Sequence, residues 1–379
     1  MLVLAAVALA GACETSAPFM TFAHTALPVI DGHEKRVLPS AQIVTVTFPG
    51  YAHTAEVEAF GDFIGGSAWL KTVGAEYGVG PATHKQKLVW PSASPDRYTD
   101  QDLRKMLTTA ISDGTLPAPT AGANALAILV YVPATSILDA TAAGGGVICL
   151  QGSFHTAGGL FTAGYHESFL APDGTRVPYA VIGDCTSELD EITEAATREL
   201  IGMITNPYEV DNTGYLFETV PTDPWLFNLD NGEVGYFCSG EQTHADEGGF
   251  TLHRSWSNAA AKAGQEPCVP VPADDVYTNV SADPETLVSA APGTTLSFQL
   301  TGWSTAPTAE WGLLLSRPDG VDYTVARIAA KLSAGSINNG KIVTLTMTVP
   351  STAKSGEYGG VNVLSGPNER VWPVGFTVK

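Results

Sequence analysis

The segment Ala125–Val132 restricts the fold more than any other part of the chain. It reads ALAILVYV, an uninterrupted apolar run of strand length. A strand that carries no polar side chains is buried on both faces of its sheet, so other layers must cover both sides. The run therefore predicts a domain built from a sheet with further layers of structure packed on each face.

Strand-like and helix-like segments alternate on either side of this run. Further strands are expected at Gln42–Phe48, Lys87–Trp90, Val147–Leu150 and Tyr179–Ile182. Apolar spacing predicts helices over Ala55–Ile64, from an N-cap at Thr99 to Gly114, and from an N-cap at Ser187 to Pro207. The alternation of strands and helices over residues 41–270 is typical of an α/β or α+β layer fold.

A second domain is expected after a boundary-like segment at residues 271–275. Strand-like runs then recur between turn signals, at Thr295–Leu300, Trp311–Leu315, Ile342–Val349, Gly359–Leu364 and Val371–Val378. This spacing is typical of an Ig-like β-sandwich of about 100 residues. The predicted divisions are a leader (1–13), a tether (14–40), the α/β domain (41–272) and the sandwich (273–379).

The first twelve residues, MLVLAAVALAGA, form an uncharged apolar run that is too short to span a bilayer as a helix. The run ends in small residues directly before Cys13, which resembles the bacterial lipoprotein signal. It predicts an exported protein, either lipidated on Cys13 at the outer membrane or cell surface, or secreted after an ordinary signal peptide is removed.

The chain is acidic, with a formal net charge of -20. Such a surface repels phosphate backbones, so a nucleic-acid partner is not expected. No basic run would hold an anionic membrane, so membrane contact is expected only through a lipid anchor. The oligomeric state is left open.

Four cysteines follow the leader: Cys149, Cys185, Cys238 and Cys268. An even number in an exported chain predicts two disulfides, with three possible connectivities. Sequential pairing would close loops of about 36 and 30 residues and stabilise the fold by roughly 3–4 kcal/mol each. The sequence contains no CxxC motif, which argues against a zinc ribbon.

One carboxylate falls inside the apolar stripe of the helix that ends at Pro207. Glu199 lies between Ala196 and Met203 on that face, and a buried carboxylate needs a partner or a proton. Arg198 is expected on the surface, paired with Glu194 one turn earlier. Elsewhere, His253 is expected to face solvent from a strand.

Several short motifs together carry a family resemblance. They are Thr197–Pro207, Glu233–Cys238 and Trp256-Ser257-Asn258 through Cys268, with Glu76–Gly80 and Tyr179–Val181 in support. In these pieces residues 40–270 resemble the secreted EXORDIUM-like (phosphate-induced) proteins of plants and their exported bacterial relatives, which carry an HELxxxxT[N/D]P helix.

That helix motif implies a zincin-like domain with a zinc-peptidase site, in which two helical ligands hold the metal beside a glutamate base. This chain keeps only the glutamate, as Glu199. Arg198 and Gly202 stand at the two helical ligand positions, and Tyr236 replaces an expected aspartate. Because a guanidinium has no lone pair for a metal, zinc is disfavoured and no metal ligand is expected.

Three functions follow from these residues. The favoured one is an exported cell-surface binding or scaffold protein, whose metallopeptidase-like domain has lost its metal and binds a polypeptide or carbohydrate near Arg198, Glu233 and Tyr236. The first alternative is an active secreted hydrolase of peptidase type, with Glu199 and His166 as catalytic residues. The second is a structural or adhesive protein that acts through its sandwich.

Overall fold

The fold was analysed in a computed structural model of the chain. It describes residues 19–143, 146–148, 161–208, 214–217, 222–227, 232–238, 244–317 and 328–379. The leader, Cys13 and Cys149 lie outside the described residues.

The central element of the N-terminal domain is a five-stranded sheet. Its strands are β1 (Gln42–Thr47), β2 (Thr83–Val89), β3 (Leu126–Val132), β4 (Gly164–Leu170) and β5 (Arg176–Gly183), in the spatial order β2-β1-β3-β5-β4. The pairs β2–β1, β1–β3 and β3–β5 are parallel, and the edge strand β4 is antiparallel to β5. Every residue of β3 is buried, as its apolar run predicts.

Helices cover both faces of this sheet. They are α1 (Thr54–Ile64), α2 (Ala68–Gly74), α3 (Asp100–Ser112), α4 (Leu189–Thr205) and α5 (Asn258–Lys262). The apolar residues of α1 and α4 pack on one face, and those of α3 pack on the other.

Of the two helix N-caps predicted from the sequence, one is confirmed and one is wrong. Thr99 caps α3 as expected, and Asp102 completes a capping box with it. Ser187 does not cap α4, because the N-cap position belongs to Glu188, which makes no side-chain cap bond. Ser187 instead has a φ of 64° in the turn that leads from β5 into α4.

Short strands and 3-10 turns complete the N-terminal domain. Asp31–Gly32 pairs with Tyr215–Leu216, Ala245–Glu247 with Phe250–Leu252, and Ser255–Trp256 with Cys268–Val269. A small sheet contains Arg97–Thr99, Ile137–Ala140, Gly146–Ile148 and Phe161–Thr162. The 3-10 turns are Ala75–Tyr77, Thr141–Ala143 and Pro224–Phe227.

The C-terminal residues form two further sheets. Their strands are β6 (Thr278–Asp283), β7 (Val288–Ala290), β8 (Thr295–Ser304), β9 (Trp311–Ser316), β10 (Ala329–Leu332), β11 (Ser336–Ile337), β12 (Ile342–Thr348), β13 (Tyr358–Ser365) and β14 (Arg370–Val378). The spatial orders are β6-β8-β12-β10 and β7-β14-β13-β9-β11. Together with the helices, these sheets establish a mixed α+β chain.

The two halves share one apolar core. Buried residues of the α1 and α4 face and of the C-terminal sheets belong to a single continuous cluster. At the junction, the Trp225 ring lies 5.7 Å from Trp372 and 6.4 Å from Trp256, measured between ring centroids. Phe237 packs on Trp256 at 4.7 Å. The segment that carries Glu233 is therefore packed, through these rings, against the C-terminal half.

A buried ionic cluster also crosses the junction. The guanidinium of Arg370, 1% exposed, binds Glu266 at 2.5 Å and also contacts Asp275. Arg254 is fully buried and donates to the carbonyls of Cys268 and Pro270. The ion pairs of Arg370 therefore connect Glu266 and Asp275 to strand β14.

The segment interpreted from sequence as a tether makes specific contacts from its first described residues. Asn339, between β11 and β12, donates to the carbonyl of Met20 and accepts from the N–H of Phe22. The His24 ring stacks on Trp303 at 3.7 Å. Farther along, Ile30 exchanges two hydrogen bonds with Asn258 of the N-terminal domain. These residues therefore contact both halves of the molecule.

One predicted disulfide is present between Cys238 and Cys268. Cys185 is also disulfide-bonded, while its expected partner Cys149 lies outside the described residues. In the described part of the chain, no helix has the length and apolar character needed to cross a membrane.

Removing the Cys238–Cys268 bond is expected to lower the free energy of unfolding by about 3 kcal/mol, because the bond closes a loop with a sequence separation of 30. Urea unfolding of the Cys238→Ala/Cys268→Ala variant measures this loss. Glu233 and Tyr236 precede Cys238 closely, so the variant should also lose protection from amide exchange in residues 232–238. Unchanged stability would contradict the prediction.

Candidate functional site

Strand β4 and helix α4 bring the candidate residues together. Side chains alternate along β4, so Tyr165 packs on the α3 face of the sheet and His166 projects toward α4. Helix α4 presents Glu199 on its buried face, and the turn at 232–238 adds Glu233 and Tyr236. The sequence candidates His166, Arg198, Glu199, Glu233 and Tyr236 therefore converge on one cluster.

The His166 ring lies between two carboxylates. Its Nδ1 is 3.1 Å from Oε2 of Glu199, and its Nε2 is 3.1 Å from Oε2 of Glu233. Both glutamates are fully buried, and His166 is 5% exposed. Each ring nitrogen of His166 therefore lies within ion-pair distance of a buried carboxylate.

Glu199 has three partners. The Arg198 Nε donates to Oε1 at 3.1 Å, and the Tyr236 hydroxyl donates to Oε2 at 2.8 Å. Burial by itself raises the pKa of Glu199, but the Arg198 charge and the His166 hydrogen bond outweigh it and hold that pKa below its usual range. The Arg198 guanidinium also lies over the Tyr236 ring, 5.4 Å from its centroid. Glu199 is thus an ionised carboxylate saturated with donors.

Glu233 is held by Asn206, which was not among the site residues predicted from the sequence. The Asn206 side-chain amide donates to Oε1 of Glu233 at 2.6 Å, and its oxygen accepts from the N–H of Gly214. Asn206 is fully buried and follows the last residue of α4. Its place in the Thr-Asn-Pro end of the helix motif was the signal available in the sequence.

Two glycines allow this close packing. A Cβ on Gly202 would lie 2.6 Å from Cε1 of His166. A Cβ on Gly235 would lie 2.4 Å from the carbonyl oxygen of Arg198, which is backbone. Gly202 therefore leaves room for an imidazole that comes from β4 rather than from α4.

The arrangement does not fit a zinc ion. A zinc site needs lone pairs that converge on one point. The two ring nitrogens of His166 face different carboxylates, and the Arg198 cation is bound to Glu199. Within the described ranges, no set of three or more His, Cys, Asp or Glu side chains could hold a metal ion.

Two sequence-based expectations near the cluster are wrong. Arg198 pairs with its neighbour Glu199 rather than with Glu194 on the surface. His253 is 5% exposed rather than solvent-facing, and its Nδ1 lies 3.6 Å from Oε1 of Glu194. Both differences arise because residues 250–254 pack over α4 and cover the expected surface.

The low pKa of Glu199 predicts an acid-sensitive contribution to stability. A depressed folded-state pKa stabilises the fold above the usual value of 4.5, and this contribution is lost as the pH falls through the folded-state pKa. The free energy of unfolding should therefore exceed that of Glu199→Gln by a constant amount at neutral pH and by less under acid conditions. Urea titrations of both proteins from neutral to acid pH test this, and parallel curves would contradict it.

The chain was compared with protein-family models, with curated proteins and with solved structures. No family model matches the chain, and no curated protein matches it. Among solved structures, the archaellum periplasmic stator protein FlaG from Sulfolobus acidocaldarius is similar over 26% of this chain and 98% of its own, with 14% identity and a TM-score of 0.16. At this TM-score the similarity carries no argument about fold or function.

Proposed function

We propose that this chain is an exported surface-binding or scaffold protein whose N-terminal domain is a zincin-like peptidase domain without a metal centre. The observation that carries the proposal is the Arg198–Glu199–His166–Glu233 cluster. In it, each ring nitrogen of His166 faces a carboxylate, and the other donors are Arg198, Asn206 and the Tyr236 hydroxyl. Groups that bind one another in this way are not available to activate water.

The sheet edge beside the cluster supports a non-catalytic role. An extended peptide can add to a sheet only where backbone groups of the edge strand are free. On the edge strand β4, the N–H of Ser168 donates to the Glu167 carboxylate at 3.1 Å. The carbonyl of Ser168 accepts from Arg104 at 3.2 Å. Side chains therefore occupy this part of the edge.

The proposal also includes the family to which the chain is related and its location in the cell envelope. The motif pieces favour an EXORDIUM-like family member, and the paired C-terminal sheets favour an Ig-like sandwich. The leader and Cys13 favour attachment to the cell surface through a lipid, with secretion as the alternative. The bound partner is proposed to be an extracellular polypeptide or carbohydrate.

Metal content and peptidase activity test the proposal together. The purified protein, expressed with zinc and dialysed without chelator, should hold far less than one zinc per chain. Its activity on a broad peptide library should equal that of Glu199→Gln. Stoichiometric zinc, or peptide cleavage that the Glu199→Gln change abolishes, would instead establish the active hydrolase.

A further inference from the structure

A second group of polar residues lies at the carboxyl ends of the parallel strands. From β1 the chain crosses through α1 to β2 on one side, and from β2 it crosses through α3 to β3 on the other. Helices α1 and α3 cover opposite faces of the sheet. The point between β1 and β3 is therefore a topological switch point, where open sheets bind ligands in the crevice outside the strand ends.

Four buried polar atoms lie at this end of the sheet without a hydrogen-bond partner among the described residues. They are Oγ1 of Thr47, the hydroxyls of Tyr51 and Tyr131, and Oδ1 of Asp184. All four residues are between 0% and 4% exposed. A buried polar atom without a partner costs about 1–3 kcal/mol, so such atoms are rare in native proteins unless water or a ligand satisfies them.

The strand registers place these residues side by side. The last registered pair of β1 and β3 is Val46–Val130, and Thr47 and Tyr131 each follow by one residue. The N–H of Asp184 donates to the carbonyl of Val132 at 3.0 Å. Alternation along the strands directs all three side chains to the face covered by α1 and α4.

Tyr51 completes the group from the loop after β1. Its ring centroid lies 6.2 Å from that of Tyr131. Burial raises the pKa of Tyr51, and the nearby charge of Asp184 raises it further. Nε2 of His53 lies 3.2 Å from the carbonyl oxygen of Ser187, so the loop before α1 contacts the loop before α4.

The charges around the four atoms favour a neutral ligand. Asp184 and Glu56 of the first turn of α1 are acidic, which opposes an anion. The N-termini of α1 and α4, neither of which has a side-chain cap bond, oppose a cation. Hydroxyl groups donate and accept, so a polyhydroxylated molecule matches three protein hydroxyls and one carboxyl group.

We propose that Thr47, Tyr51, Tyr131 and Asp184 form a binding site for a small neutral sugar or polyol at the carboxyl edge of the sheet, separate from the His166 cluster. The four atoms are closed to solvent, so Tyr51 must move outward for the ligand to enter. Because none of the described residues is hydrogen-bonded to its hydroxyl, this movement breaks no hydrogen bond between that group and the described part of the chain.

Tyrosine NMR tests the site directly. Protein labelled with ¹³C at the tyrosine ζ carbon is titrated with glucose, galactose, mannose and mannitol, and then with glucosamine and glucuronate as charged analogues of glucose. The Tyr51 and Tyr131 resonances are assigned from Tyr51→Phe and Tyr131→Phe. We expect at least one neutral probe to shift both resonances with saturation, and Asp184→Asn to weaken its binding about tenfold or more.

Thermal unfolding tests separately whether the buried tyrosine hydroxyls of the site are unbonded in the free protein. Tyr131→Phe removes a hydroxyl that has no hydrogen-bond partner among residues the structure describes, so the Tm should stay constant or rise by about 2 °C. Tyr77→Phe is the matched control, because its buried hydroxyl donates to the Trp256 carbonyl at 2.8 Å and its loss should lower the Tm.

Several results would overturn the proposal. One is that no neutral probe shifts the Tyr51 and Tyr131 resonances, and that a high-resolution crystal structure shows only ordered waters bound to the four atoms. Others are tighter binding of glucosamine or glucuronate than of glucose, or shifts that persist in both Asp184→Asn and Thr47→Val.

Discussion

Replacing His166 with leucine is expected to lower the free energy of unfolding by about 3–5 kcal/mol at neutral pH, the cost of removing one partner from a buried ionic pair. The two carboxylates that flank the ring are affected unequally. Glu199 keeps Arg198 and the Tyr236 hydroxyl, whereas Glu233 keeps the side-chain amide of Asn206. Most of the lost free energy of unfolding should therefore arise from Glu233. Urea unfolding of both proteins measures it.

A double-mutant cycle gives this prediction its control. In His166→Leu/Glu233→Gln the uncompensated carboxylate is replaced by a neutral amide of similar shape, so the double variant should recover most of the lost stability. If the single and double variants were equally unstable, the loss would come from packing rather than from charge.

Replacing Arg370 with methionine is expected to cost a similar 3–5 kcal/mol. The change leaves Glu266 and Asp275 facing one another at a buried junction without the cation that lies between them. Glu266 retains the N–H of Cys268 and the Arg254 guanidinium at 3.6 Å, and Asp275 retains the side-chain amide of Asn368. Because these acids lie between the two halves, the halves should also unfold in separate transitions.

Calorimetry and limited proteolysis near residues 270–275 measure both effects. Arg36→Met is the matched control, since Arg36 is 56% exposed and pairs with Glu34 on the surface. Exposed pairs contribute about 0–1 kcal/mol, so this variant should resemble the wild type. A single unchanged transition in Arg370→Met would show that the apolar contacts of Trp225 and Trp372 are sufficient to hold the junction.

Local patterns in the sequence predicted several elements closely. The apolar run over Ala125–Val132 predicted a strand buried on both faces, and β3 has that character. Thr99, directly before a segment of helical apolar spacing, predicted the start of α3, because a threonine side chain can cap the first turn of a helix. Ser187 resembled an N-cap by the same reasoning. That prediction failed because the turn after β5 gives it a positive φ, which an N-cap residue does not adopt.

The candidate site was predicted as a set of residues but not as an arrangement. Glu199 was expected to be buried because it lies within an apolar stripe of α4. The partner expected for Arg198 was wrong, since helical spacing pairs Arg198 with Glu194, whereas the structure pairs it with Glu199. Asn206 was missed because an asparagine at a helix end is ordinary until Glu233 is placed beside it.

The amino-acid sequence by itself determined elements such as β3 and α3, because periodicity and capping depend on residues that are near one another in the chain. Tertiary structure alone decided that His166 lies between Glu199 and Glu233, which are 33 and 67 positions away. It also decided that Arg370 reaches Glu266 across the junction. The energy of a buried charge depends on every group within a few ångströms, and only the packed chain defines that set.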